Sequence, residues 1–207
     1  MPKLEFFFDC SSPWTYLGFV GVQPIAERLG VEIEWRPILV GGVFNAVNPE
    51  LYAAREKIFQ NKARVAHMLK DLTDWADYRG IKLAWPTFHL QVTAVQMMRA
   101  CLVAQEQGRV ADFAAVVFEQ YWSKEQDIST PESLQVVAES LGMDGERFAE
   151  RLQATDVKDQ LRKNTEELIE RGGYGSPTLF INGDDMYFGN DRLPLVERKL
   201  EQLLATP

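Results

Sequence analysis

The chain has 207 residues, of which 46% are hydrophobic and 25% are charged. These proportions are typical of a globular protein, and a chain of this length buries enough surface to form a real core. The formal net charge of −8 argues against nucleic acid as a partner, because the phosphate backbone would be repelled. No segment approaches the roughly 20 apolar residues of a membrane span. The acidic start MPKLEFFFDC favours a strand over a signal peptide, so we expect a cytoplasmic protein.

The first fifty residues predict a βαβ unit. Leu4–Phe8 is a short apolar run, which favours a buried strand. A helix over Pro13–Leu29 follows, because Ser12 is a good N-cap and proline is a good first helical residue. Residues 31–36 alternate in polarity and are rich in β-branched and aromatic side chains, which predicts a second strand, parallel to the first. Residues 37–49 are predicted to be a loop.

The middle of the chain has helical character, and strand character returns near the end. The segments with helical patterns and capping signals are 51–79, 91–107, 109–122, 130–141, a helix that Asp144 caps, and 156–171. Residues 178–181 and 186–188 predict two strands joined by the hairpin turn Asn182-Gly183-Asp184, and residues 193–204 predict a last helix.

The order βαβ, helices, then ββα predicts an α/β protein, because neither flanking part buries a sheet alone. Joined, the two parts make a four-stranded mixed sheet with helices on both faces, which is the thioredoxin arrangement. We therefore expect a thioredoxin-like domain over residues 1–50 and 166–207. Residues 51–165 would form an inserted all-helical domain.

The turn before the first helix is the first candidate site. In thioredoxin folds chemistry occurs at this turn, where the helix N-terminus stabilises an anion. Redox members place Cys-x-x-Cys there, whereas this chain has Ser12 in the first position and Thr15 in the second. Because neither hydroxyl forms a disulfide, dithiol chemistry is lost while the anion site remains. The two cysteines, Cys10 and Cys101, are expected to be reduced, buried thiols.

A thiolate brought in by a cofactor would suit such a site. Lowering a thiol pKa by about 2 units requires roughly 2.7 kcal/mol, and a helix dipole supplies only about 0.3–1 kcal/mol, or about 2 when partly buried. A hydroxyl that donates to the charged sulfur adds about 1.5–3 kcal/mol. The turn alone leaves two interpretations of Ser12 open, a sulfur-activating donor and a plain N-cap.

Two further segments carry alternatives of the same kind. Pro177 directly precedes an apolar strand; in the cis form it would expose the backbone of Ser176 to pair with a peptide ligand, and in the trans form it would simply begin an edge strand. The run Gly189-Asn190-Asp191-Arg192 opens the last helix. Its free amides and the Asp191 carboxylate suit the γ-glutamyl end of glutathione, or the run is an ordinary cap.

Taken together, the segments FFFDCSSPWTYLGF, YGSPTLFING and MYFGNDRLPLVE resemble 2-hydroxychromene-2-carboxylate isomerases and the kappa-class glutathione transferases. The resemblance covers nearly the whole chain. It implies a glutathione cofactor, a homodimer and a reversible thiolate addition that interconverts 2-hydroxychromene-2-carboxylate and its trans-benzylidenepyruvate isomer. It also implies that Ser12 is catalytic and that glutathione is held by Ser12, Ser176, Pro177, Phe188, Gly189, Asn190 and Asp191.

The substrate side departs from the family pattern. Lysine is frequent in the family where Asn45 stands, and a Pro-Ala-Lys run and a tyrosine are frequent where this chain has Lys62-Ala63-Arg64 and His67. The expected residues are also missing near His89. We assign Trp35, Asn45 and Arg64 to the substrate side. Two alternatives stay open. Trp35 could instead pack in the core, as could Trp14 and Phe44, and Arg64 and Lys62 could lie on a solvated helix face. Packing or surface roles are favoured for His67 and His89.

Three competing functions remain at this point. The first is a glutathione transferase or peroxidase that acts on other electrophiles. The second is a disulfide oxidoreductase or thiol chaperone, which the missing Cys-x-x-Cys disfavours unless Cys10 has taken over. The third is a protein that binds glutathione without catalysis.

Overall fold

A computed structural model describes residues 1–47, 60–84 and 94–206. Its sheet has four strands in the order β2-β1-β3-β4, with bounds β1 (Leu4–Phe8), β2 (Ile33–Pro37), β3 (Thr178–Ile181) and β4 (Asp185–Phe188). Strand β2 is parallel to β1, and β3 is antiparallel to β1 and β4. The predicted mixed sheet, built from both ends of the chain, is therefore confirmed.

The helices in the described residues are α1 (Pro13–Leu29), α2 (Val40–Val47), α3 (Lys62–Arg79), α4 (Ala94–Glu106), α5 (Val110–Phe118), α6 (Pro131–Ser140), α7 (Gly145–Gln153), α8 (Thr155–Glu170) and α9 (Leu193–Ala205). A π-helical turn, Glu119–Ser123, extends α5, and a 3₁₀ turn, Asn190–Arg192, precedes α9. No described helix is long and apolar enough to cross a membrane.

Helix α1 is defined by its two ends. Ser12 caps its first turn, and Gly30 closes it in the left-handed conformation with a φ of 63°, which costs glycine little. Its buried face includes Tyr16, Phe19 and Ile25, and the predicted helix is confirmed with the bounds that the sequence indicates.

The two central strands, β1 and β3, are buried on both faces. Phe6 and Phe8 face one way, where they pack against Phe19 and Trp35 with ring centroids 5.3–6.4 Å apart. Phe7 faces the other way, into a smaller cluster with Ile38, which follows β2, and with residues of α2, α8 and β3, namely Val43, Leu168 and Phe180. These two layers hold the carboxyl end of β1, where the turn before α1 begins, between packed helices.

Two local predictions are wrong. Residues 40–47 form helix α2 rather than a loop, because the buried Asp9 carboxylate accepts a hydrogen bond from the Val40 N–H at 2.8 Å and Val43 packs under the sheet. The second strand begins at Ile33 and ends at Pro37, two residues later than expected at its start, because residues 31 and 32 still belong to the turn that closes α1, where the Val31 N–H bonds the Ala26 carbonyl.

The helical middle of the chain shares the main hydrophobic core with the sheet. Phe113, Leu134 and Phe148 belong to the same buried cluster as Phe6 and Phe8. Helix α8 continues past residue 165, so the predicted boundary at 165/166 falls within a helix. The division into two domains stays a prediction.

Candidate active site

Ser12 lies at the N-terminus of α1, half-buried rather than packed in the interior. Its Oγ accepts a hydrogen bond at 3.3 Å from the Thr15 N–H, which also bonds the Ser12 carbonyl at 3.1 Å, so it is an N-cap. A hydroxyl that accepts one bond still has its own proton to donate, and among the described residues nothing accepts it. The two interpretations of Ser12 are therefore compatible: the capping bond orients the hydroxyl, and the proton is left for a ligand.

The amides of the first turn of α1 are only partly used. Pro13 has no N–H, and the Thr15 N–H bonds Ser12. Within the described ranges the Trp14 N–H has no acceptor; the Cys10 carbonyl, four residues before it, accepts from the indole Nε1 of Trp122 at 2.8 Å. One free amide, the positive end of the helix and the Ser12 hydroxyl together make an anion site.

Asp9, directly after β1, is a buried carboxylate that organises this turn. Only 1% of it is exposed. One carboxylate oxygen accepts from both the N–H and the hydroxyl of Ser11 at 2.8 Å, and the other accepts from the Val40 N–H at 2.8 Å. Burial raises the pKa of Asp9, and these donors oppose the rise. Since the Ser11 hydroxyl is committed to Asp9, Ser12 is the serine whose proton is available.

Sequence reasoning missed Asp9. Its only signal was an acidic residue at the end of an apolar strand, and the partner at Val40 lies in a segment that was predicted to be a loop.

Ser176 and Pro177 face α1 from the other side of the site. The bond between them is cis. A Cβ at Gly18 would lie 2.9 Å from Pro177 Cγ, so the proline ring lies directly against α1. Elsewhere in the loop the Pro177 carbonyl accepts from the Gly189 N–H at 3.0 Å. In the described structure neither the N–H nor the carbonyl of Ser176 has a hydrogen-bond partner, which leaves both for an extended peptide ligand.

The segment from Phe188 to Asp191 begins at the last residue of β4 and contacts α1 through its 3₁₀ turn. Gly189 has a φ of 96°, a conformation that favours glycine. Asn190 is 3% exposed, and among the described residues its Nδ2 has no hydrogen-bond partner. A buried amide left unpaired is costly, which fits a group completed by a ligand. Asp191 is exposed and pairs with Arg192 at 2.8 Å.

Phe188 lines the same end of the site with an aromatic neighbour. Its ring lies 4.5 Å from that of Tyr174, centroid to centroid, and a Cβ at Gly175 would come within 2.6 Å of it. The structure thus brings two segments together against α1, joined by the bond from the Gly189 N–H to the Pro177 carbonyl. Their residues are Ser176, Pro177, Phe188, Gly189 and Asn190.

The residues predicted for the substrate side have no polar or ring contact with Ser12 among the described residues. Trp35 is 9% exposed, and its ring packs on Phe6, Phe8 and Phe19, so core packing accounts for it. Asn45 on α2 and Arg64 on α3 are exposed. Among the described residues no hydrogen bond, ion pair or ring contact joins any of the three to Ser12.

The remaining sequence candidates are dispersed. Trp14 packs against the Leu17, Leu72 and Ala76 cluster between α1 and α3, and Phe44 is half-buried on α2. Lys62 and His67 are exposed on α3. His89 and the neighbouring departure from the family pattern lie outside the described residues.

Cys10 and Cys101 are free and fully buried. Burial raises the pKa of Cys10 well above its ordinary value, and the neighbouring Cys101 thiol adds to the rise. A thiol in such surroundings is a poor nucleophile. The Cys10 side chain is therefore unsuited to take over the role of the missing redox cysteine.

The match to known proteins agrees with this geometry. A family model described as a DSBA-like thioredoxin domain matches residues 3–201. The chain belongs to this family. It is 27% identical to the 2-hydroxychromene-2-carboxylate isomerase of Sphingobium xenophagum, over 95% of this chain and 97% of that protein. It is 26% identical to human glutathione S-transferase kappa 1, over 99% of this chain and 93% of that protein.

Among solved structures, a 2-hydroxychromene-2-carboxylate isomerase superposes with a TM-score of 0.79 at 27% identity, over 98% of this chain and 96% of that one. The DSBA-like thioredoxin domain of this chain is thus shared with relatives that are isomerases and glutathione transferases, which supports an enzyme.

Proposed function

We propose that this protein is a glutathione-dependent isomerase that interconverts 2-hydroxychromene-2-carboxylate and trans-o-hydroxybenzylidenepyruvate-type compounds in aromatic catabolism. The observation that carries the proposal is the Ser12 hydroxyl, which is oriented by the Thr15 N–H and has its proton free among the described residues. It stands at a helix N-terminus opposite cis-Pro177, where redox relatives hold a cysteine.

The residues of the site fit a γ-glutamyl peptide with a thiol. The unpaired Asn190 Nδ2 can donate to the γ-glutamyl carboxylate, and the Asp191 carboxylate can accept from the ammonium group. The free N–H and carbonyl of Ser176 can pair with the cysteinyl residue as one more strand would. The cysteinyl sulfur would then lie toward Ser12.

The chain's own groups would lower the pKa of the bound thiol. The helix dipole contributes about 0.3–2 kcal/mol, and the Ser12 hydroxyl contributes about 1.5–3 kcal/mol as a donor to the charged sulfur. When bound, glutathione would supply a thiolate for reversible addition to the conjugated double bond, so that the former double bond rotates before the thiolate leaves. Phe188 and the Ser176 backbone would hold the peptide in place while this happens.

The relatives named glutathione S-transferase kappa favour a second candidate, a transferase or peroxidase that uses the same thiolate on other electrophiles. A disulfide-oxidoreductase-like activity is disfavoured by the burial of Cys10. As the resemblance implies, the proposal includes a homodimer whose partners are glutathione and a small aromatic or electrophilic substrate; a cytoplasmic location, expected from the character of the first residues, is part of the proposal as well.

The test is a panel assay with and without glutathione. Isomerisation of the 2-hydroxychromene carboxylate that requires glutathione and is lost in Ser12→Ala supports the proposal. Conversion of chlorinated aromatics or hydroperoxides without isomerisation supports the transferase alternative. Insulin reduction that disappears in Cys10→Ser, with no glutathione requirement, would contradict both.

A further inference from the structure

Thr15 joins the two halves of the candidate site. Its N–H donates to Ser12 Oγ, while its Oγ1 lies 2.8 Å from Ser176 Oγ. Both side chains are buried, with 0% of Thr15 and 7% of Ser176 exposed. We call the Oγ1–Oγ contact the hydroxyl bridge. It connects the first turn of α1, which would activate the thiol, to the loop that would hold the peptide backbone.

A further hydrogen bond, from the backbone after β1, holds the hydroxyl bridge in place. Ser176 Oγ accepts a hydrogen bond from the Asp9 N–H at 3.1 Å, and Asp9 itself is held by Ser11 and Val40. The Ser176 Oγ therefore has two hydrogen-bond contacts within the protein, whereas its backbone N–H and carbonyl have none among the described residues and remain for a ligand. A sequence assignment of Ser176 to glutathione binding does not reveal this division between its side chain and its backbone.

We propose that Thr15 is a positioning residue and that the hydroxyl bridge fixes the orientation of the Ser176 backbone relative to Ser12. This inference rests on the proposed function and deepens it. Because Pro177 already touches α1 at Gly18, the bridge adds direction rather than proximity: a hydrogen bond fixes the angle of approach where a van der Waals contact does not. A bound cysteinyl residue would then meet Ser176 and Ser12 in one geometry.

A double-mutant cycle tests the bridge. Glutathione affinity is measured by calorimetry for the wild type, Thr15→Val, Ser176→Ala and the double variant. Each single change removes the same hydrogen bond, so we expect each to weaken binding about three- to tenfold. The double variant should bind no more weakly than the weaker single variant, since the shared bond is lost only once. Thr15→Ser keeps the hydroxyl and should restore affinity to within about twofold of the wild type.

The pKa of the bound thiol distinguishes a positioning role of Thr15 from a contribution to protein stability alone. The single variants should raise the pKa of the bound thiol, measured by thiolate absorbance, because the sulfur no longer meets Ser12 correctly. The matched control is Thr165→Val, which removes another buried threonine hydroxyl that joins two segments, by accepting from the Leu39 N–H and donating to the Leu161 carbonyl. It should lower the free energy of unfolding without changing glutathione affinity or the thiol pKa.

The outcomes are distinct. Single-variant losses that multiply in the double variant, or unchanged affinity in Thr15→Val, would overturn the inference while the proposed function stands. Failure of the wild type to bind glutathione overturns the proposed function and the inference with it. Thr15→Ala repeats the cycle with a smaller side chain, so the result does not depend on one variant that folds poorly.

Discussion

Removal of the Ser12 hydroxyl should separate its two roles. In Ser12→Ala the capping bond to the Thr15 N–H is lost; at 3.3 Å it is a long bond, so we expect a decrease of about 0.5–1 kcal/mol in the free energy of unfolding. The donor to the bound sulfur is lost as well. A hydrogen bond to a charged group contributes about 1.5–3 kcal/mol, which corresponds to a rise of about 1–2 units in the pKa of bound glutathione, at about 1.36 kcal/mol per unit.

The assay is a pH titration of thiolate absorbance with the protein saturated by glutathione. Ser11→Ala is the matched control, because it removes the neighbouring hydroxyl, which already donates to Asp9. The thiol pKa should rise in Ser12→Ala and stay close to the wild-type value in Ser11→Ala. Equal shifts in both variants, or no shift in Ser12→Ala, would refute the role of Ser12 as a donor to sulfur.

Two further predictions concern acidic residues near the turn and at the last helix. Asp191→Ala should weaken glutathione binding about tenfold, which is at the low end for a charged contact because Asp191 is exposed and already paired with Arg192. Calorimetry measures the affinity, with Asp184→Ala, which removes an exposed carboxylate on the hairpin, as the control. Equal glutathione affinities for the two variants would contradict the prediction. Asp9→Asn should reveal the raised pKa of Asp9. Since the folded protein keeps this proton to higher pH than the unfolded chain does, the free energy of unfolding of the wild type relative to Asp9→Asn should fall as pH rises from about 3.8 through the raised pKa. Urea unfolding at several pH values measures this difference, and a difference that grows with pH would be the wrong sign.

Local signals predicted much of the fold. The serine–proline start of α1 depends on neighbours within a few residues, and it is found where the sequence places it. Helix α2 was missed because its sequence, VGGVFNAV, contains two glycines and an asparagine, which are weak helix formers. Its N-terminus is completed by Asp9, a residue more than thirty positions away, and no local pattern contains that contact.

Part of the candidate site was likewise predictable from local sequence, and part depended on contacts between distant segments. The turn at Ser12 and the segment at Gly189 could be recognised from short motifs. The isomer of the Ser176–Pro177 bond and the use of the Ser176 hydroxyl depend on how β3 faces α1, and the sequence left them open. The polarity pattern of β2 could not show that the Trp35 ring faces Phe6, Phe8 and Phe19.

A crystal structure of the protein with glutathione tests the central claim most directly. The account predicts the cysteinyl sulfur within hydrogen-bond distance of Ser12 Oγ, with its backbone paired to Ser176. Glutathione bound with its sulfur away from the N-terminus of α1, or held as a mixed disulfide on Cys10, would contradict it.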